Sequence, residues 1–140
     1  MQIKIKKLHP EAKVPAYAHP GDAGLDLCTT EDIVVPAGGR ANIPTGLALA
    51  IPDGYVGLVW DKSGLAFKSG LTSLSGVLDA GYRGELRLVL LNTTDTDYHF
   101  VAGDKVAQLL IQPIVRAEIE EVSDLPASRR GIGGFGSTGR

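Results

Sequence analysis

Apolar residues fall in short runs along this chain, each cut off by glycine, proline or aspartate. The runs DIVVPAGG, RANIPTGLALAI and YVGLVW are separated by turn chemistry, including Pro52-Asp53-Gly54, an order of residues that suits a tight turn. In GVLDAGYRGELRLVLLN, Leu86, Leu88 and Leu90 alternate with Arg87 and Val89, a period of two that predicts a half-buried strand. The whole segment reads as a hairpin turning at Gly81. DKVAQLLIQPIVRAEIEEV reads as continued strand, with Pro113 marking an edge or a bulge. Only SGLAFKSG suggests a helical turn, with Ser63 as its N-cap. The 18 glycines and 8 prolines punctuate many short strands, so the expectation is a single all-β domain of sandwich or barrel type.

Composition narrows the class further. A chain of 140 residues suffices for one domain with a real core. A net charge of −2 leaves no electrostatic footprint for nucleic acid or for an anionic membrane. No apolar run is long enough to span a bilayer. MQIKIKKLHP lacks the apolar stretch of a signal peptide, so a cytoplasmic location is expected. Cys28 is the only cysteine, which leaves no internal disulfide or cysteine-based zinc site and points to a small core residue. His9, His19 and His99 have neither metal-ligand spacing nor a nucleophile motif nearby.

The polar residues that interrupt the strands carry the candidate chemistry. Asp79, beside the turn, is either an ordinary turn aspartate or a carboxylate held rigidly enough to activate a water. Asp22 and Asp26 in GDAGLDL are turn or strand-end aspartates, or outer-shell partners of a hydrated Mg2+ where phosphate is near. Lys62-Ser63-Gly64 reads as a helix cap, and the free N–H groups of such a cap also make an anion site. Gln108, inside an apolar strand, needs a partner, whether structural or ligand. The ending RRGIGGFGSTGR is a solvated tail or an arm that orders over an anion. Its five glycines let backbone N–H groups approach phosphate, Ser137 and Thr138 add donors, and Arg130 adds a fixed charge. Phe135 is out of place in a solvated linker. The ending is not a Walker loop, because it has no Gly-Lys-Ser/Thr.

In order, GDAGLDL, KSGLA, GVLDAGYRGE, GDKVAQLLI and RGIGGFGSTG resemble the five motifs of the trimeric deoxyuridine triphosphatases, from about Pro15 to Gly139. The resemblance implies an all-β subunit of distorted jelly-roll (β-clip) form. Residues 1–128 would form the β domain and residues 129–140 a mobile, glycine-rich C-terminal arm of that domain. It also implies a homotrimer with active sites between subunits. The implied activity is hydrolysis of dUTP to dUMP and pyrophosphate, with Mg2+ held mainly by the triphosphate. That reaction limits uracil incorporation into DNA and supplies dUMP for thymidylate synthesis. By motif position, Asp79 is the general base for water attacking the α-phosphorus, and Tyr82 packs on the deoxyribose and excludes a 2′-hydroxyl. Main-chain groups around Gly76, Val77, Leu78 and Arg87 read the uracil edge. Ser63 and Gly64 donate to the phosphates, Gln108 sits near the α-phosphate, and Asp26 contacts the metal through water. The arm of another subunit brings Phe135 over the uracil and Arg130, Gly136, Ser137 and Thr138 to the phosphates.

One departure matters. The family's second motif usually begins Pro-Arg-Ser, and here it reads Asp61-Lys62-Ser63. Lysine offers a point charge rather than arginine's bidentate fork. Lys62 therefore has two readings, a phosphate contact or a structural pair with Asp61. Two other functions share parts of the pattern. A deoxycytidine triphosphate deaminase needs longer insertions than this chain has room for. A non-catalytic nucleotide-binding β domain has no need of the intact Asp79 and arm motifs.

Overall fold

The structure, a computed structural model, describes residues 1–133; Phe135, Gly136, Ser137 and Thr138 lie outside the described residues. The strands are β1 (Lys4–Lys7), β2 (Leu25–Cys28), β3 (Ile33–Val35), β4 (Arg40–Ala50), β5 (Tyr55–Trp60), β6 (Leu71–Ser73), β7 (Val77–Leu78), β8 (Glu85–Asn92), β9 (Tyr98–Phe100) and β10 (Lys105–Pro113). One helix, α1 (Ser63–Ser69), lies between β5 and β6. Antiparallel pairing builds one sheet in the order β1-β4-β8-β6 and a second in the order β2-β10-β5-β7, with β3 and β9 forming a small third. Leu27 and Leu109 from the second sheet meet Ile43, Leu47 and Leu88 from the first in one core, all without solvent contact. Each such side chain contributes about 1.5–3 kcal/mol by leaving water. The fold is the jelly-roll arrangement of two facing antiparallel sheets.

The expected alternation in β8 is present, with Leu86, Leu88, Leu90 and Asn92 buried and Arg87 exposed. Strand β4 behaves differently and is buried continuously from Ile43 to Leu49, as a strand covered on both faces must be. The Pro52-Asp53-Gly54 turn closes through Tyr55 N–H donating to the Pro52 carbonyl at 3.3 Å. Cys28 is buried, as expected of a small core residue.

Three local expectations are corrected. The hairpin at Gly81 does not form: β7 pairs with β5 in one sheet, while β8 pairs with β4 and β6 in the other. Leu78 and Leu86 both enter the core, but from opposite sheets, so residues 79–84 cross between layers. Strand β10 stops at Pro113, and residues 114–120 form no strand. Their alternation finds no sheet edge within the described residues, and Val115 and Ile119 stay 95% and 90% exposed. In α1 the N-cap position belongs to Lys62, which makes no side-chain capping bond, and Ser63 is the first helical residue.

Asn92 is the polar keystone of this packing. Fully buried, it donates through Nδ2 to the carbonyls of Val35 (3.1 Å) and Thr96 (2.7 Å). Its Oδ1 accepts from the Thr94 N–H at 3.0 Å and the Thr94 hydroxyl at 2.8 Å. Truncation removes four hydrogen bonds made from a fully buried position, so Asn92→Ala should cost about 3 kcal/mol. Urea unfolding at a fixed protein concentration measures this, and a loss below about 1 kcal/mol would show that water replaces the amide.

Candidate active site

The crossing segment 79–84 builds the first half of the site. Asp79 follows directly on β7, and its carbonyl accepts the Tyr82 N–H at 3.0 Å. Arg83 fastens the turn by donating from Nη1 to the carbonyls of Ala80 (2.6 Å) and Tyr82 (2.7 Å). The Tyr82 hydroxyl donates to the Glu85 carbonyl at 3.0 Å, which lays the ring across Gly84. A Cβ at Gly84 would come within 2.6 Å of Tyr82 Cζ, so this ring position requires glycine. Gly76, Val77, Leu78, Asp79, Tyr82 and Arg87 then line one cleft of about 230 Å3. Arg87 is aimed by Asn42 Oδ1 at 3.0 Å and Glu85 Oε2 at 2.9 Å. The Val59 N–H donates to the Gly76 carbonyl at 2.8 Å and holds that wall. The Asp79 side chain is exposed, and no described residue hydrogen-bonds its carboxylate.

The second half lies on the sheet β2-β10-β5. Register places Gln108 opposite both Asp26 and Trp60, and these three with Lys62 line a cleft of about 460 Å3. Lys62 donates to Asp26 Oδ1, and Lys105 reaches Asp26 Oδ2 at 2.5 Å. Burial pushes the Asp26 carboxyl up, but its hydrogen bonds to Lys105 and Lys62 and their charges prevail, leaving it below its ordinary value. The same hydrogen bond raises Lys105. The suggested pairing of Lys62 with Asp61 is therefore replaced by one with Asp26. Asp61 turns the other way and accepts from the Thr72 hydroxyl at 2.8 Å and the Ser73 N–H at 2.6 Å. Gln108 Nε2 finds a structural partner in the Asp61 carbonyl at 2.8 Å. Its side chain lies against Gly24, where a Cβ would come within 2.9 Å of Gln108 Cδ.

The two clefts share no lining residue. Ser63 and Gly64, exposed at the start of α1, line neither. Arg130 sits in an exposed turn over residues 128–133, donating from Nε to the Gly133 carbonyl at 2.8 Å, also away from both clefts. Among the described residues, no group of three or more His, Cys, Asp or Glu is placed to hold a metal. No helix among them is long and apolar enough to cross a membrane. Sequence reasoning missed Gly84, Gly24, Asn42 and Lys105. Only the glycines left a signal, in YRG and DAG, and its meaning depends on which ring or amide lies on them.

Fold and clefts together define an all-β domain with open clefts that present backbone, cations and, at Asp79, a carboxylate with no partner among the described residues. The dUTPase family profile matches residues 10–139, and the chain belongs to that family. It is 50% identical to the deoxyuridine 5′-triphosphate nucleotidohydrolase of Thermobifida fusca over 99% of this chain and 79% of the relative. Among solved structures it resembles the Staphylococcus bacteriophage 80alpha dUTPase with dUPNHPP, at TM-score 0.94 and 31% identity, over 99% of each chain. It also resembles a mutant dUTPase from phage phi11 of S. aureus, described as coordinating a structural Mg(II) ion. That match has TM-score 0.82 and 31% identity, over 89% of this chain and 98% of the other.

The Asp26 network sets a pH dependence. Its carboxyl titrates lower in the folded chain than in the unfolded one. Its contribution is therefore complete above the unfolded value, about pH 4, and is lost as pH falls through the folded value. Asp26→Asn should be less stable than wild type at neutral pH, with a narrower gap at a pH below about 4, the unfolded value. Urea midpoints at the two pH values check this. A gap that is the same at both would remove the ionised carboxylate from the account.

Proposed function

We propose that this chain hydrolyses dUTP to dUMP and pyrophosphate, with Asp79 as general base. The observation that carries this reading is the Asp79 carboxylate. It stands unengaged on the wall shared with residues 76–78 and Tyr82, while Asp26 and Asp61 are committed to lysines and to β6. A water bonded to Asp79 attacks the α-phosphorus and gives its proton to the carboxylate. The new P–O bond completes dUMP, and the bond to the bridging oxygen breaks to release pyrophosphate. Main-chain groups of residues 76–78 and near Arg87 read the uracil edge. Tyr82, held flat over Gly84, packs on the deoxyribose and leaves no room for a 2′-hydroxyl. Ser63, Gly64, Lys62 and Gln108 serve the phosphates. A Cβ at Gly64 or Gly76 would meet nothing within 4 Å, so the bare backbone at both positions is open to close approach by a ligand. The arm over residues 129–140, part of the same domain, reaches the site of another subunit as its lid, with Phe135 on the uracil and Arg130, Gly136, Ser137 and Thr138 on the phosphates.

The donor set fits Mg2+ that arrives hydrated on the triphosphate. No described carboxylate cluster suits a bare ion, yet Asp26, with a lysine on each oxygen, keeps lone pairs for metal-bound water. Bound Mg2+ would neutralise phosphate charge and steady the leaving pyrophosphate. A cleft of about 230 Å3 falls below the roughly 300–1,000 Å3 typical of complete ligand sites. The family resemblance implies sites shared between subunits, and in a homotrimer the working site would join Asp79 of one subunit to Asp26, Lys62 and Gln108 of another. The names of the relatives and the analogue-bound neighbour support this reading. Such a reaction acts on the cytoplasmic nucleotide pool.

Asp79→Asn keeps the shape but loses the proton acceptor, so kcat should fall about 10²-fold or more with KM little changed. Pyrophosphate release from dUTP is the assay, and near-normal turnover would remove Asp79 from the mechanism. Assembly is tested separately by light scattering, which should report three chain masses. A fully active monomer at assay concentration would defeat the shared site.

A further inference from the structure

Asp61 occupies the position where the family usually has proline, and its surroundings give it work that proline cannot do. It follows β5 and precedes Lys62, so its main chain belongs to the phosphate-side segment. Its side chain, however, reaches β6, the edge strand of the other sheet. There Oδ2 accepts the Thr72 hydroxyl at 2.8 Å and Oδ1 the Ser73 N–H at 2.6 Å. The next residue, Leu74, donates its N–H to Val89 of β8 at 2.8 Å. Backbone alternation therefore turns the Ser73 N–H outward, where no strand would satisfy it. Ser73 passes the constraint on, its hydroxyl donating to the Ser75 carbonyl at 2.7 Å. Ser75 Oγ accepts the Val89 N–H at 3.1 Å, and Gly76 follows directly. The carboxylate thus ties the segment that carries Lys62 and Ser63 to the one that ends in residues 76–78. Bonds to an ionised acceptor are about twice as strong as neutral ones.

We propose that Asp61 is a positioning residue for base recognition: its carboxylate fixes β6 and residues 73–76, and through them the main-chain wall that reads the pyrimidine. The inference rests on the dUTP reading above. It differs from the view of Asp61 as a bare negative charge beside the phosphates. A bare charge repels the triphosphate, so removing it would tighten dUTP more than dUMP. A positioning carboxylate serves the base, which dUTP and dUMP share.

The experiment compares wild type, Asp61→Ala and Thr72→Val. The second variant is close in shape and removes one donor while leaving the charge in place. Measured quantities are kcat/KM for dUTP and dCTP, the Kd of dUMP, and the melting temperature. Asp61→Ala should weaken dUMP about 10-fold, raise KM for dUTP by a similar factor, and narrow the dUTP/dCTP preference, as loss of a charge-assisted hydrogen bond implies. Thr72→Val should shift the preference in the same direction by a smaller factor, which keeps the test open if Asp61→Ala does not fold. A folded Asp61→Ala with unchanged base preference overturns the proposal, as does dUTP tightening while dUMP is unaffected. If Asp61→Ala fails to fold, an unchanged preference in Thr72→Val also overturns it. A wild type that leaves dUTP intact overturns both this inference and the function it rests on, so the two failures are told apart by the first measurement.

Discussion

Leu78 and Leu86 enter one core from opposite sheets, and the polar residues between them have to cross the gap. Burial of each leucine is worth about 1.5–3 kcal/mol, enough to fix both ends of the crossing. The crossing itself cannot sink into the core, because its backbone would lose hydrogen bonds that no strand there supplies. It is held at the rim by its own contacts, the Asp79–Tyr82 turn, the Arg83 staple and the Tyr82 hydroxyl on Glu85. A carboxylate and an aromatic ring are thereby displayed on a short, braced support. The jelly roll is thus the reason that the Asp79 backbone is braced while its side chain is exposed.

Three aspartates near the site meet three environments. Asp26 lies between two lysines, which favour its ionised form against the effect of burial. Asp61 spends its charge on a hydroxyl and an amide of the neighbouring edge strand. Asp79 has neither kind of partner among the described residues and lines the cleft with its side chain exposed. The substitution of lysine for arginine at residue 62 follows the same logic. A guanidinium fork is suited to bidentate grips, whereas the compact ammonium of Lys62 meets a single oxygen of Asp26 while Lys105 takes the other.

The alternation of Leu86, Leu88 and Leu90 made β8 legible, and the Pro52-Asp53-Gly54 turn needed no tertiary information. The sheet partner of β7 was not legible, because a two-residue strand followed by a turn looks the same whether the chain folds back or crosses to another layer. The motifs marked Asp79, Tyr82 and Gln108, since motif order survives translation into sequence. The partners of Lys62 and Asp61 were hidden for a different reason. Asp26 lies 36 residues away from Lys62, and Thr72 lies 11 away from Asp61. Side-chain contacts at such separations depend on register, and a shift of one residue would turn each group to the opposite face.

Two incomplete features of the chain have one resolution. The alternation of apolar and polar residues beyond Pro113 continues a strand pattern, but within the described residues no edge receives it, and Val115 and Ile119 face solvent. The residues that would serve a phosphate chain line a different cleft from the carboxylate that would activate water. Within the described residues the chain thus has a strand pattern without a partner and places Asp79 and Asp26 in different clefts. In the homotrimer proposed above, a neighbouring copy would offer both an edge and a complementary cleft. Under that proposal catalysis and assembly are linked, and weakening the contact between subunits would lower activity before it disturbed the fold of any one of them.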